Sequence, residues 1–488
     1  MTPWPPTVSC SKDVFQGWGL VLHAALASAV ATSFHRVFPF ARERTLSFHI
    51  PLGVGFLIVY LFLAFATGVF CQRKVHSADD YYVAGRQAGA LQVAGSLVAT
   101  ILGSSAILGS IEFARNSGWA GSWMMVTGAC GLLALSLLAK RMSRFHGYNL
   151  PELLGDFYGQ TVRKWSAVVI AFAWLGVVAA QLIGAAEITT AMCGISYWKG
   201  LLAIGGVLVF YTAAGGQFSI LKTDLVQAIL VLAGILMVFG YALSRPAPPP
   251  APGLFSEKFS VLDLGVLLLT YASTFMAGPD IYSRIFCAKD AATSRKALWG
   301  AALTLIPVGV MLAYIGIYGG AVYPEHKGSV LFAIAQFEFH PAAAMLLYLA
   351  LLSAILSSAD TTLFNAGGLL AQFFDVDLRS LRSIRRTRLC ITLLGGASIG
   401  IALFLQSILT VLLGALAIYA GAFIVPVLWG LFGLRTNRGF VLAAILVGGV
   451  LALAGKILPA LWGQCLAIAA FVANLALLWA GRSKLIRE

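Results

Sequence analysis

Charge is the scarcest resource in this sequence. Asp, Glu, Lys and Arg make up 11% of the 488 residues, against 59% hydrophobic, and the mean hydropathy is +0.88. Soluble domains carry roughly 25% charge, so a soluble fold is excluded. Cysteine is present but unpaired in pattern. Seven residues (Cys10, Cys71, Cys130, Cys193, Cys287, Cys390, Cys465) are scattered without a CxxC motif, which excludes a disulfide framework and a zinc site. The seven histidines are dispersed and form no HExxH pair, so a metal-dependent membrane enzyme is not expected. The chain does not read as an enzyme.

What is abundant is apolar sequence. A spanning helix needs about 20 apolar residues. Thirteen runs qualify, near 51–72, 92–112, 119–140, 164–192, 197–214, 219–243, 262–283, 297–321, 342–372, 388–407, 409–433, 439–457 and 459–481. The fold class is therefore an all-α polytopic membrane protein. Most of the 33 Lys and Arg fall on one side if the first of these runs enters from outside, in clusters such as "QRKVH", "KRMSR", "SRIFCAK" and "LRSLRSIRRTR". The positive-inside rule then predicts an external N-terminus and a cytoplasmic C-terminus, provided residues 1–50 do not span. On this reading the net charge of +14 reflects topology and not nucleic-acid binding.

Residues 1–50 form an N-terminal extension of open role. "VFQGWGLVLHAALASAVATSF" is apolar and "ALASA" resembles a signal-peptidase site, yet only Lys12 precedes the run. A leader, an extra helix and an overlong start all remain open. "SRPAPPPAPG" (Ser244 to Gly253) reads as a stiff external connector, because consecutive prolines favour polyproline II. "GYNLPELLGDFYG" reads as a packing loop with a short helix started by Asn149 and Pro151.

Polar residues inside the apolar runs carry the functional signal. "LLSAILSSADTTLFNAGG" places Ser357, Ser358, Asp360, Thr361 and Thr362 within six positions. A carboxylate at the bilayer centre costs at least ~2.5 kcal/mol, so such residues face a cavity, a partner or an ion. The second run, "GSLVATILGSSAILGSIEFARNSG", carries Gly95, Gly103 and Gly109 and nothing bulky from Gly103 to Ala106. Close helix packing and a broken, cation-binding helix explain that equally well. In "YTAAGGQFSILKTDLVQAILVLAG", Gly215–Gly216 reads as a tight turn, and Asp224 lies about one turn into the next helix. Asp224 is either part of a cation path with Asp360 or the partner of Lys222 or Arg388 in a boundary salt bridge.

Five stretches in order, "DYYVAGRQAGALQVAGSLVAT", "HGYNLPELLGDFYG", "YTAAGGQFSILKTDLVQ", "DIYSRIFCAKDAATSRKA" and "SAILSSADTT", resemble the sodium:solute symporter family across roughly residues 51–435. The resemblance implies a leucine-transporter-type fold with two inverted five-helix repeats, approximately 92–243 and 262–433, within a transmembrane domain over 51–488. It also implies Na⁺ as coupling ion, held by Ala99 and Leu102 of a broken second span with Ala354, Ser357 and Ser358 of the ninth. Ala354, Ser357 and Ser358 are i, i+3 and i+4 and share one helical face. A hard cation takes such neutral oxygens. Asp224, Asp360 and Thr361 would form a second sodium site or a release path. Relatives commonly carry a small or hydroxyl residue at Asp360, and the proline-transporter branch carries an aspartate at Ile101, so neither position is a simple match.

Solute contacts are expected from Gly103, Ser104 and Ser105, from Trp174 and Gln181, which are seven apart on one helix face, and from Tyr271, Ser273 and Thr274. Glu112 and Glu187 are further intramembrane acids without a motif. The implied function is symport of a small organic solute (amino acid, quaternary amine or carboxylate) across the plasma membrane by alternating access. Aromatics that cage a quaternary amine would suit the choline and proline side of the family. The lipid bilayer and the solute are the expected partners; oligomeric state is not legible. Two other classes stay open. A transporter-like sensor usually continues into an output domain, whereas this chain runs to "GRSKLIRE". A sodium-permeable channel would conduct without coupled solute.

Overall fold

The computed structural model describes residues 49–73, 75–142, 148–326, 328–374, 381–404, 408–458 and 460–482. The extension over residues 1–50 lies outside these, apart from the first residues of the first helix. Among the described residues the chain is helical, and isolated bridges such as Ala88 with Ala288 replace strands.

In chain order, α1 (His49–Gln72) leads to α2 (Ala78–Val83), which Ser77 and Asp80 start with a reciprocal capping box. The second apolar run is broken: α3 (Ala90–Ile101) stops, and α4 (Ser104–Ser117) begins after Gly103. Next come α5 (Trp123–Ser136), the short α6 (Leu150–Tyr158), α7 (Gln160–Cys193) and α8 (Tyr197–Leu243). The seventh run is also broken. It comprises α9 (Val261–Leu267), a π turn over Leu268–Ala272, α10 (Ser273–Ala277) and α11 (Pro279–Ile285). Then follow α12 (Ala291–Val322), α13 (Val330–Phe337), α14 (Pro341–Phe374), α15 (Leu381–Phe404), α16 (Ile408–Leu431), α17 (Arg438–Ile457) and α18 (Ala460–Ala480).

Among the described residues, eight helical segments are long and apolar enough to cross a membrane, where thirteen apolar runs were expected. The two numbers do not count the same segments: the count of eight joins α4 to α5 and covers α16 and α18 only in part, the seventh run is divided into short helices, and α8 carries two of the expected runs. At 1.5 Å per residue its 47 residues would extend about 70 Å, more than twice the hydrocarbon thickness of about 30 Å. The chain turns at Gly216 (φ 58°, ψ −157°), which interrupts the helical backbone. A Cβ there would lie 2.6 Å from the Tyr81 ring, so glycine is required by both conformation and space.

The polyproline connector is extended and anchors through one backbone bond, from Trp119 N–H to the Pro252 carbonyl at 3.0 Å. The short helix α6 forms as its cap residues specify: Asn149 accepts from Glu152 N–H at 3.1 Å. Glu152 then pairs with Arg163 at 2.9 Å and accepts from Gln372 at 2.6 Å, which makes the segment a packing element. Arg382, Arg385 and Arg386 belong to the exposed first turns of α15, not to a loop.

The central helix is α14, buried along nearly its whole length and packed against α7 and α8. The periphery is apolar and exposed, as Ile58, Phe62 and Phe70 of α1 illustrate. Lipid tails are as apolar as leucine, so such a surface is at home only in a bilayer. The protein is a multi-pass membrane protein.

Candidate functional site

A helix that stops inside a membrane frees carbonyl groups, and each must find a donor or an ion. At the end of α3, Leu102 (φ −80°, ψ 41°) bonds back to the Val98 carbonyl at 2.9 Å, and regular pairing stops there. The next two carbonyls are met from α14. Ser357 Oγ donates to Ala99 O at 2.7 Å, and Ser358 Oγ donates to Thr100 O at 2.7 Å. Both hydroxyls also lie near Ala354 O, at 3.3 and 3.2 Å. The helix spacing noted in the sequence thus becomes one face of α14 pressed on the break. Ala99, Ala354, Ser357 and Ser358 meet here, and Ala99, Leu102, Ala354 and Ser357 are all fully buried. The donor set is neutral oxygen, which fits a hard monovalent cation.

Gly103 makes the close approach feasible. A Cβ on it would sit 2.6 Å from Ser358 Oγ and 3.3 Å from Gln181 Nε2. Gly103 and Gln181 therefore share a neighbourhood with the serines. Ser104 and Ser105 open α4 directly beyond.

The second break repeats this logic with tyrosines. Gly278 separates α10 from α11, and Pro279 restarts the helix. Tyr282 donates its hydroxyl to Met276 O at 3.1 Å, and Tyr419 of α16 donates to Ala277 O. Trp174 packs edge-on against Tyr419 with centroids 6.3 Å apart, which brings α7 to this break as well. The other solute candidates are placed differently. Tyr271 packs on Phe275 at 5.0 Å, next to Gly128 of α5. Ser273 bonds to Leu269 O within its own helix and lines an apolar crevice of about 590 Å³ with Met276, Leu428 and Trp429. Thr274 is half-buried. Glu112 pairs with Arg115 at 3.5 Å, and Glu187 is exposed, so neither acid belongs to this buried cluster.

Asp224 and Asp360 are both fully buried, in one network with a residue that sequence reasoning missed. Arg284 of α11 pairs with Asp224 Oδ2 at 2.8 Å, with neither side chain exposed. Its Nη2 also donates to Thr361 Oγ1, its Nε to Ser96 Oγ at 2.7 Å, and its Nη1 to Asp280 O at 3.1 Å. Ser96 Oγ in turn donates to Asp224 Oδ2. Asp360 accepts from Tyr211 at 2.9 Å and from Thr361 at 3.2 Å. The alternative that paired Asp224 with Lys222 or Arg388 is overturned, since its partner is Arg284. Lys222 lies over the Phe218 ring, and Arg388 lies over Tyr81 and donates to Ala214 O at 3.1 Å. Arg284 belongs to "SRIFCAK", which the positive-inside reading takes as a cytoplasmic basic cluster. The triplet Gly278-Pro279-Asp280 was the available signal, since it marks a helix start that carries Arg284 inward.

Residues 81–251 match the model of the sodium:solute symporter family. The chain is 25% identical over 436 residues to the sodium/pantothenate symporter of Escherichia coli (strain K12), covering 81% of this chain and 88% of that protein. It is 24% identical over 325 residues to the high-affinity proline transporter PutP of Bacillus subtilis (strain 168), covering 61% and 68%. Among solved structures, a substrate-bound, outward-open Na⁺-coupled sialic acid symporter superposes with a TM-score of 0.72 at 16% identity, covering 89% of this chain and 99% of that one. Mhp1, a nucleobase-cation-symport-1 family transporter in a closed conformation with bromovinylhydantoin, gives 0.55 at 14% identity, covering 82% and 93%. At these identities the structures speak to the fold, which is of the leucine-transporter type. The five ordered motifs, the two broken helices and these matches together make the chain similar to the sodium:solute symporter family.

Proposed function

We propose that this protein is a sodium-coupled symporter that imports a small organic solute across the plasma membrane by alternating access. The observation that carries this reading is the seating of Ser357 and Ser358 on the carbonyls freed at the α3 break. Ala99 O, Leu102 O, Ala354 O and the two serine hydroxyls supply five oxygens for Na⁺. In the arrangement described the hydroxyls occupy two of the carbonyls; a bound Na⁺ takes all five as ligands, with the hydroxyl hydrogens turned away. Ion binding then draws α3 and α14 together, which couples the ion to the position of the broken helix beside the solute. A sensor or channel needs no such coupling.

The solute site is centred on Gly103, Ser104, Ser105 and Gln181, with Trp174 toward the second break; Tyr271 and Thr274 reach it from the second broken helix, while Ser273 lines the apolar crevice. The relatives named for pantothenate and proline support a solute with a carboxylate. Asp224, Asp360 and Thr361 lie on the path by which the ion leaves toward the cytoplasm. The two inverted repeats are 92–243 and 262–433, and the breaks fall in the first member of each. The first helix starts outside and the C-terminus lies inside. Solute uptake into proteoliposomes, with and without an inward sodium gradient, tests the reading.

A further inference from the structure

Arg284 heads the fully buried side chains by volume among the described residues. A permanently charged guanidinium in a membrane interior needs a specific counterpart. Its contacts are unusually complete: Ser96 O and Oγ on Nε, Asp280 O on Nη1, and Asp224 Oδ2 with Thr361 Oγ1 on Nη2. Asp224 and Thr361 are two of the three residues that would form a second sodium site. The guanidinium thus sits where the ion would be, bonded to the same oxygens.

We propose that Arg284 is a tethered cation standing in for a second sodium, so that the protein binds one Na⁺, and that removing it opens a second sodium site at Asp224, Asp360 and Thr361. The inference rests on the sodium reading of the Ser357–Ser358 site. Two further observations support it. Asp224 Oδ1 is fully buried and has no hydrogen-bond partner. Two carboxylates therefore face one guanidinium, with a ligand oxygen to spare. Among the described residues no other cation pairs with Asp224 or Asp360: Lys222, on the same helix as Asp224, lies over Phe218, and Arg388 of α15 is engaged with Tyr81 and Ala214. Tyr211 and Thr361 hold the two oxygens of Asp360 in place. Without the guanidinium, Asp224 Oδ1, Asp224 Oδ2, Thr361 Oγ1 and Asp360 Oδ1 remain as an oxygen set suited to Na⁺. With it, the excess negative charge draws a departing ion toward the cytoplasm without offering a closed ligand shell.

Equilibrium binding of radioactive sodium to the purified full chain, with no solute present, decides the matter. Wild type is expected to bind one Na⁺ per chain and Arg284→Gln two. Adding Ser357→Ala and Ser358→Ala to Arg284→Gln should remove one and leave the other. Arg284→Lys, which keeps a cation, should stay at one. Two ions in wild type overturn the inference while leaving sodium coupling intact. A folded Arg284→Gln that binds one ion overturns it equally. No binding in wild type removes the sodium reading itself. If Arg284→Gln does not fold, the wild-type count and Arg284→Lys carry the decision, and two ions in either contradict it.

Discussion

Arg284 and Asp224 form an ion pair at 2.8 Å in which neither side chain reaches the surface. Breaking a buried pair on one side costs on the order of 3–5 kcal/mol, because an uncompensated charge remains, whereas neutralising both partners costs far less. Asp224→Ala should therefore lower stability by about that amount. Asp224→Asn with Arg284→Gln should recover most of the loss. Unfolding midpoints in detergent, arranged as a double-mutant cycle, measure the coupling. Additive losses would show that the two residues do not act as a pair.

The serine hydroxyls of α14 are neutral oxygen ligands in the proposed ion site. A hydrogen-bonding group facing a charge contributes roughly 1.5–3 kcal/mol, and each 1.4 kcal/mol is about tenfold in affinity. Ser357→Ala and Ser358→Ala are each expected to raise the half-saturating sodium concentration about tenfold or more. Sodium activation of uptake measures this directly. Unchanged activation in the double variant would remove these residues from the ion site.

Gly103 and Gly216 serve different ends, and alanine separates them. At Gly103 the backbone (φ −62°, ψ 166°) tolerates a side chain, but its Cβ would meet Ser358 Oγ. Gly103→Ala should therefore fold and lose turnover. At Gly216 the conformation itself is open mainly to glycine, and such strain costs roughly 1–3 kcal/mol. Gly216→Ala should lower the unfolding temperature and the yield. Circular dichroism melts alongside uptake distinguish the two; equal effects on both readouts would contradict the assignment.

Orientation follows from the basic clusters. Cysteines introduced at Arg382 or Arg385, both exposed at the start of α15, should resist an impermeant thiol reagent added outside intact cells. A cysteine at Ala247 or Ala251, in the proline connector, should react. The reverse pattern would invert the topology.

Much of this was legible in the sequence, for identifiable reasons. Ala354, Ser357 and Ser358 share a face because helical periodicity is local, whereas the small residues around Gly103 suit close packing and a break equally, and only the family resemblance favours the break. Asn149 and Pro151 start α6 as cap chemistry dictates. The failures concern direction and distance. Arg284 reads as part of a cytoplasmic basic cluster, since composition records a charge without saying which way its side chain turns. Tyr419, Tyr211 and Ser96 come from α16, α8 and α3, and no spacing along the chain relates them to Ala277, Asp360 and the Asp224–Arg284 pair to which they bond. Gly216 reads as a turn between two spans; the helical backbone is interrupted there, with helix on either side.

Sodium-driven uptake tests the central claim most directly. Proteoliposomes containing the purified protein should be offered a panel of small zwitterions, carboxylates and quaternary amines under inward sodium or inward potassium gradients. Saturable accumulation of at least one solute, present with sodium and absent with potassium, is the expected result. Uptake indifferent to the replacement of sodium by potassium, or a non-saturating sodium flux that needs no solute, would contradict it.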